Sequence, residues 1–337
     1  MTITLALDAM GGDHGPAATV PAALYQLEKY QDLHIILVGQ QELLERMLVG
    51  NKLAASERLR IHHAPEAVEM HELPSLALRN KKESSMRIAI ELVKAGTADA
   101  CVSAGNTGAL MAIARFVLKM LPGIDRPAIC SIMPGISGNT HLLDLGANVD
   151  SSPAQLFQFA VMGAELTSAV FNKQNPTVAL LNVGEEEIKG NENVKQAATL
   201  LSNSHLNYIG FVEGNDIYTG KVDVIVCDGF VGNIALKASE GVAKFLMHHA
   251  REQFQKSVYG RIAALVSMPV LKDIRLKIDP RRYNGASLLG LRGIVIKSHG
   301  GADKVSFGYA IEEAMLEVQK NVPQRISTEL HKLFPEG

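Results

Sequence analysis

The sequence predicts an α/β protein in which helices wind over both faces of a mostly parallel sheet. Its strand candidates are short and almost continuously apolar, as strands covered on both faces are. Stretches with helical periodicity separate them, so strand and helix alternate. Seven of the apolar runs also end in a knot of Gly, Asn, Asp or Ser before a helical stretch. Such exits gather along one edge of an open parallel sheet, where ligands bind.

The strand candidates are Ile3–Leu7, Ile35–Val38, Ala100–Val102, Ala128–Met133, Leu142–Leu145, Val178–Val183, Ile209–Val212, Val224–Cys227 and Gly293–Ile296. Helical spacing is clearest over Pro16–Lys29, Met86–Ala95, Ala154–Val170 and Asn233–Ala250. The whole chain, 1–337, therefore reads as a single α/β catalytic unit without repeats or linkers. Residues 244–282 break the rhythm, with nine Lys/Arg against three Asp/Glu in a chain of net charge −2. Val258, Ile262, Leu265 and Val266, then Val270, Ile274 and Ile278, recur at helical spacing on either side of Pro269. Proline should divide the segment into a protruding amphipathic helical hairpin. Arg261, Lys272, Arg275 and Lys277 supply its charge. The hairpin would pack on a second subunit, or meet an anionic membrane or an acidic protein.

Composition bounds the function. With 47% hydrophobic and 20% charged residues the chain can fill a core, and its net charge of −2 disfavours nucleic acid. Three scattered cysteines, Cys101, Cys130 and Cys227, fit a reducing compartment and offer no zinc or disulfide framework. The chain shows neither a secretory leader nor an apolar run approaching the roughly 18 residues of a membrane span. A cytoplasmic protein is expected. The dinucleotide Gly-x-Gly-x-x-Gly fingerprint, the Walker A sequence, the Gly-x-Ser-x-Gly elbow and paired metal-ligand histidines are all missing, so no metal or cofactor is called for.

The exits carry the chemistry. Asp8-Ala-Met-Gly-Gly-Asp-His-Gly15 is the densest: Gly11 and Gly12 let backbone N–H groups face outward, and Pro16 suits a first helical turn. Asp13 either orients a ligand or caps that helix, and His14 could move a proton. Ser103-Ala-Gly-Asn-Thr-Gly108 adds Gly105, Asn106 and Thr107 to an anion cradle. Asp144-Leu-Gly-Ala-Asn148 and Asp228-Gly-Phe-Val-Gly-Asn233 contribute Asp144, Asn148, Gly229 and Asn233, and Glu213-Gly-Asn-Asp216 is a further exit. Asn182-Val-Gly-Glu185 brings Asn182 and Gly184, followed by Lys189, a cation placed to neutralise phosphate or a developing oxyanion. Lys297-Ser-His-Gly-Gly301 ends the last strand with a cation and the imidazole of His299. Cys227 reads as a small core residue rather than a nucleophile.

In order along nearly the whole chain, these exits and two further segments, Lys82-Glu-Ser-Ser-Met86 and Tyr283-Asn-Gly-Ala-x-Leu-Leu-Gly290, resemble the bacterial phosphate acyltransferase (PlsX) family. The resemblance implies a Rossmann-like fold akin to isocitrate dehydrogenase and phosphotransacetylase. It also implies a homodimer that associates with the inner membrane face and moves a long acyl chain from acyl carrier protein to inorganic phosphate. Phosphate is already an anionic nucleophile, so direct attack on the thioester needs no acyl-enzyme. Lys189 and Asn233 would stabilise the oxyanion or phosphate, and His14 or His299 would protonate the leaving thiolate. The 12 methionines suit an apolar channel for the acyl chain. The alternatives are a phosphotransacetylase-like enzyme using short-chain acyl-CoA, an oxidoreductase of the isocitrate dehydrogenase type, and a non-enzymatic membrane-surface scaffold.

Overall fold

In the computed structural model the alternation becomes one sheet of 11 strands with helices on both faces. The structure describes residues 1–333, and of residues 273–278 and 280 the backbone only. The strands are β1 (Ile3–Asp8), β2 (Leu33–Gly39), β3 (Leu59–His63), β4 (Ala100–Ser103), β5 (Ala128–Pro134), β6 (Asn139–Leu143), β7 (Thr177–Leu181), β8 (Asn207–Val212), β9 (Val224–Val226), β10 (Ala286–Leu289) and β11 (Ile294–Lys297). The helices are α1 (Pro16–Lys29), α2 (Gln41–Leu48), α3 (Pro74–Asn80), α4 (Ser85–Lys94), α5 (Thr107–Leu118), α6 (Pro153–Phe171), α7 (Glu192–Ser202), α8 (Gly229–Gln255), α9 (Val258–Ile278), α10 (Lys304–Lys320) and α11 (Val322–Leu333).

Successive strand residues point to opposite faces, and that alternation divides the core. In β1, Leu5 and Leu7 face a cluster built with α1, α2 and α10, whereas Ala6 faces one built with α3, α4 and α5. A third cluster lies under α6, α7 and α11 and includes the fully buried Phe159. Strand order is β3-β2-β1-β4-β11-β10-β5-β6-β9-β7-β8. The first five strands are parallel. β10 runs against both β11 and β5, and β5 runs against β6. β6, β9, β7 and β8 are again parallel to one another. The sheet thus holds two parallel sets of opposite polarity, and the expectation that seven exits share one edge is corrected. Exits from β1, β4 and β11 belong to one set, and exits from β6, β9, β7 and β8 to the other.

Two strands escaped sequence reading. β3 is an edge strand with buried Leu59 followed by exposed or half-buried residues, and β10 has only four residues. The break between the two long helices is also corrected: it falls at Lys256–Ser257, and Pro269 lies inside α9. The Ser257 hydroxyl accepts the Gly260 N–H at 2.9 Å and so caps α9. A side chain on Gly260 would lie 2.9 Å from the carbonyls of Gln253 and Phe254, so the tight corner requires glycine there. Arg261 and Lys272 are exposed, whereas Arg275 and Lys277 lie outside the residues with described side chains. Among the described residues no helix is long and apolar enough to cross a membrane.

His141 of β6 is 1% exposed, stacked on Phe171 at 4.7 Å between ring centres, with Nδ1 2.8 Å from the Thr167 hydroxyl. Burial pushes its pKa down from 6.5 to about 4, against a weaker upward pull from Asp223. The unfolded chain therefore takes up a proton before the folded one does. Stability contributed by the neutral ring is present above pH 6.5 and is lost as pH falls towards 4, at about 1.4 kcal/mol per pH unit. Chemical denaturation at stepped pH should show that slope in the difference between wild type and His141→Gln, and NMR should find the His141 ring untitrated at pH 5.5.

Candidate active site

The exits of β1, β4 and β11 build the first half of the site. Asp8, 1% exposed, ends β1 with both carboxylate oxygens in use. The hydroxyls of Ser85 and Ser103 each donate to it at 2.6 Å. Burial raises its pKa, and these bonds, with the Met10 and Gly11 amides, offset part of that rise. A Cβ on Gly11 would lie 2.5 Å from Asp8 Oδ2 and 2.8 Å from the Gly105 nitrogen. Gly12, at φ +89°, packs between Gly300 and Ala104. The glycines let three chain segments converge with little between them.

Lys297 stands beneath this junction, 8% exposed, with Nζ directed to the carbonyls of Ala104 and Ser298. Burial lowers its pKa from 10.5 to about 8, Asp8 and Asp13 oppose that fall, and Lys237 adds to it. His299 faces solvent. Its Nδ1 accepts the Gly301 N–H at 3.1 Å, which leaves the neutral ring's proton on Nε2. Partial burial lowers its pKa, Glu240 opposes the shift, and Lys237, Lys297 and Lys244 reinforce it. The Asp13 N–H donates to the Gly300 carbonyl at 2.8 Å. The residue at the N-cap of α1 is Gly15, so Asp13 does not cap that helix. His14 is exposed on the same loop.

Two cradle residues play different parts from those expected. The Gly105 N–H is taken by the Ser103 hydroxyl at 3.1 Å. Asn106 caps α5 through Oδ1, and its Nδ2 donates to the carbonyls of Met70 and Glu72, both at 2.9 Å. Both ends of that side chain hold backbone, including the loop whose Met70 lies over Gly300. Thr107, exposed at the first turn of α5, presents the start of a helix.

The second half hangs from β6, β9 and β7. Asp144, wholly buried, accepts the N–H groups of Ile129, Gly146, Ala147 and Asn148 and the Asn148 amide, which also bonds the Pro127 carbonyl. Asp144 and Asn148 therefore have structural roles. Gly229 donates its N–H to the Asn148 carbonyl at 2.8 Å, and Gly232 lets α8 run directly against the Asp144 carbonyl. That contact starts α8 beside the β6 exit and places exposed Asn233 against Gly146. Cys227 is 4% exposed, and burial pushes its thiol well above the usual range, so it is unsuited to nucleophilic attack.

Asn182 donates from Nδ2 to the carbonyls of Gly184 and Lys189 at 3.1 and 3.2 Å and so shapes the loop that carries Lys189. The Lys189 side chain folds over Gly184, which has no Cβ to obstruct it, and pairs with Glu186 at 2.9 Å. Asn193 Nδ2, bonded to the Ser151 carbonyl at 3.2 Å, ties the first turn of α7 to the loop after β6.

Sequence reading missed Lys237 and Glu240. They form an ion pair on α8 at 3.0 Å, and both act electrostatically on His299 in the other half. Their only sequence signal is spacing of one and two helical turns from Asn233, because no exit motif marks them. Helix α8 thus starts in the second half and carries charge to the first. Among the described residues no three His, Cys, Asp or Glu side chains group as metal ligands would.

This arrangement of two glycine-lined halves sits on a fold that solved structures share. The phosphotransacetylase of Streptococcus pyogenes matches with a TM-score of 0.64 at 19% identity, over 94% of each chain. Residues 3–325 match the family model described as fatty acid synthesis protein. The phosphate acyltransferase of Methylococcus capsulatus is 61% identical over 331 residues, 98% of either chain. That of Nitrosococcus oceani is 60% identical over 337 residues, covering 100% of this chain and 99% of its own. The chain belongs to the phosphate acyltransferase family and is an acyltransferase enzyme.

The contact between Gly11 and Asp8 gives a test of this architecture. Gly11→Ala forces a methyl into the Asp8 carboxylate and should cost roughly 1–3 kcal/mol in chemical denaturation. Gly214→Ala, with open space where the Cβ would stand, should stay within about 1 kcal/mol of wild type. Equal effects at both positions would refute the close packing.

Proposed function

We propose that the enzyme moves a long-chain fatty acyl group from the thioester of acyl carrier protein to inorganic phosphate, giving acyl phosphate and free carrier protein for phospholipid synthesis. The observation that carries this reading is the junction of the β1, β4 and β11 exits. There the buried cation of Lys297 stands beneath glycine loops, beside an imidazole whose remaining proton is on Nε2. Such a junction favours an anion, and the relatives' shared name, phosphate acyltransferase, supports phosphate as that anion.

Phosphate attacks directly. A phosphate oxygen forms the new bond to the thioester carbon, the carbonyl oxygen becomes an oxyanion, and the C–S bond then breaks. The proton of hydrogen phosphate ends on the departing thiol. Gly12, Thr107 and Lys297 bind and orient phosphate, which removes the entropic cost of a bimolecular encounter, while the Gly11 and Asp13 amides hold the loop itself through Asp8 and Gly300. Lys189 and Asn233 stabilise charge on the oxyanion or phosphate, with Lys189 leaving Glu186 to do so. His299, neutral and protonated on Nε2, suits the relay of a proton to sulfur better than His14, which has no such orientation. Buried Cys227 has no part in the reaction.

The α8–α9 hairpin adds the partner surfaces. Gly229 and Gly232 are the only buried residues of α8, while Phe245, Leu246, Tyr259, Leu265 and Val266 are each more than half exposed. We assign this apolar surface to a second subunit and an anionic membrane, with Arg261 and Lys272 steering acidic acyl carrier protein.

Incubation with palmitoyl-ACP and labelled phosphate should yield an acid-labile mixed anhydride, and no fatty ester should form on the protein. Faster phosphate-dependent loss of acetyl-CoA would favour a short-chain phosphotransacetylase instead. Lys189→Ala and Asn233→Ala should each lower kcat by roughly 10²–10³-fold, or about 2.7–4 kcal/mol in the barrier. Near-normal turnover by both folded variants would remove these residues from the mechanism. Arg261→Glu and Lys272→Glu should weaken binding to acyl carrier protein and to anionic vesicles, and unchanged affinity for both would remove the hairpin charge from either role.

A further inference from the structure

A second polar hollow, of about 230 Å³, lies apart from every residue assigned above, where the end of α6 meets the end of α10 and the start of α11. Three cations line it, Lys173, Lys320 and Arg325, together with the neutral donors Ser168, Asn172 and Gln174; no carboxylate is among the lining residues. The chain builds this hollow by ending α6 on Asn172 in the left-handed conformation, φ 52°, a turn asparagine tolerates. The turn places Lys173 and Gln174 beside Ser168 of the preceding helical turn.

The charges are partly uncompensated. Lys173 pairs with Asp223 at 2.6 Å, and Arg325 lies 3.8 Å from Glu165, a long contact, while its Nη2 reaches Ser168 Oγ at 3.4 Å. Lys320 is held by a neutral oxygen, Asn172 Oδ1, at 2.8 Å. An arginine fork, two ammonium groups and neutral donors around one hollow match the oxygens of a phosphate group. The volume leaves room for a short polar substituent beyond the phosphate.

We infer that the hollow bounded by Lys173, Lys320 and Arg325 binds a small soluble phosphomonoester at a site separate from acyl transfer. The competing explanation is that these cations only complement the C-terminal dipoles of α6 and α10. That role would appear in stability and not in ligand binding.

Isothermal titration of the full-length enzyme with glycerol 3-phosphate separates the two. Lys320→Gln/Arg325→Gln should weaken binding at least tenfold, and Gln174→Glu, at an exposed position that adds a repelling charge, should weaken it similarly without disturbing the helix ends. Lys297→Met should leave this binding intact, which distinguishes the hollow from the phosphate junction of the acyl-transfer reading. Unchanged affinity in either lining variant, or loss of all binding in Lys297→Met, would overturn the inference. Binding to vesicles containing phosphatidic acid but not to soluble glycerol 3-phosphate would also overturn it, in favour of a lipid headgroup.

Discussion

Two carboxylates removed from water set the form of the site. An ionised aspartate in a protein interior is tolerated only when hydrogen bonds replace its hydration, and each of these recruits its bonds from loops that would otherwise be independent. Asp8 draws Ser85 and Ser103 to the end of β1, which brings the start of α4 and the exit of β4 together. Asp144 gathers four backbone amides and the Asn148 side chain, and so locks the β6 exit against the start of β5. Glycines stand beside both carboxylates because any side chain would collide with the oxygens that must be satisfied. The side chains proposed for the chemistry, those of Lys189, Asn233 and His299, are exposed on the segments around these two buried carboxylates.

The halves are joined through the middle of the sheet. β10 is antiparallel to both neighbours, and β5 is antiparallel to β6, so strand polarity reverses between the sets. Helix α8 offsets that separation. It follows β9 beside Asp144, includes Asn233 and carries Lys237 and Glu240 to where their charges act on His299. Partial burial lowers the proton affinity of the His299 ring, and the positive charges of Lys237, Lys297 and Lys244 lower it further against the opposing Glu240.

Much of the fold was legible because parallel strands and amphipathic helices have distinct periods. Helix α1 begins and ends where its pattern does, with Pro16 at the first turn. Strand direction leaves no mark in hydrophobicity, so the two polarities were not visible, and a four-residue strand such as β10 carries too little pattern to register. The position of the hairpin corner was obscured because Pro269 is a stronger local signal than Ser257, although a serine cap and a close glycine contact decided it. At the site, residue types located the loops but not which atoms remain available. Asn106, Asn148 and Asn182 read as ligand contacts, yet their side chains bind backbone. Lys237 went unseen because its neighbours in space are far from it in sequence.

The seam at β10 has a mechanical consequence. Only two residue pairs, Ala286 with Lys297 and Ser287 with Ile296, join β10 to β11, the shortest ladder in the sheet. The last residue of that ladder on β11 is Lys297 itself. A movement that parts these two strands therefore displaces the backbone that carries the buried Lys297 ammonium, so sheet mechanics and the placement of that charge are coupled at one residue.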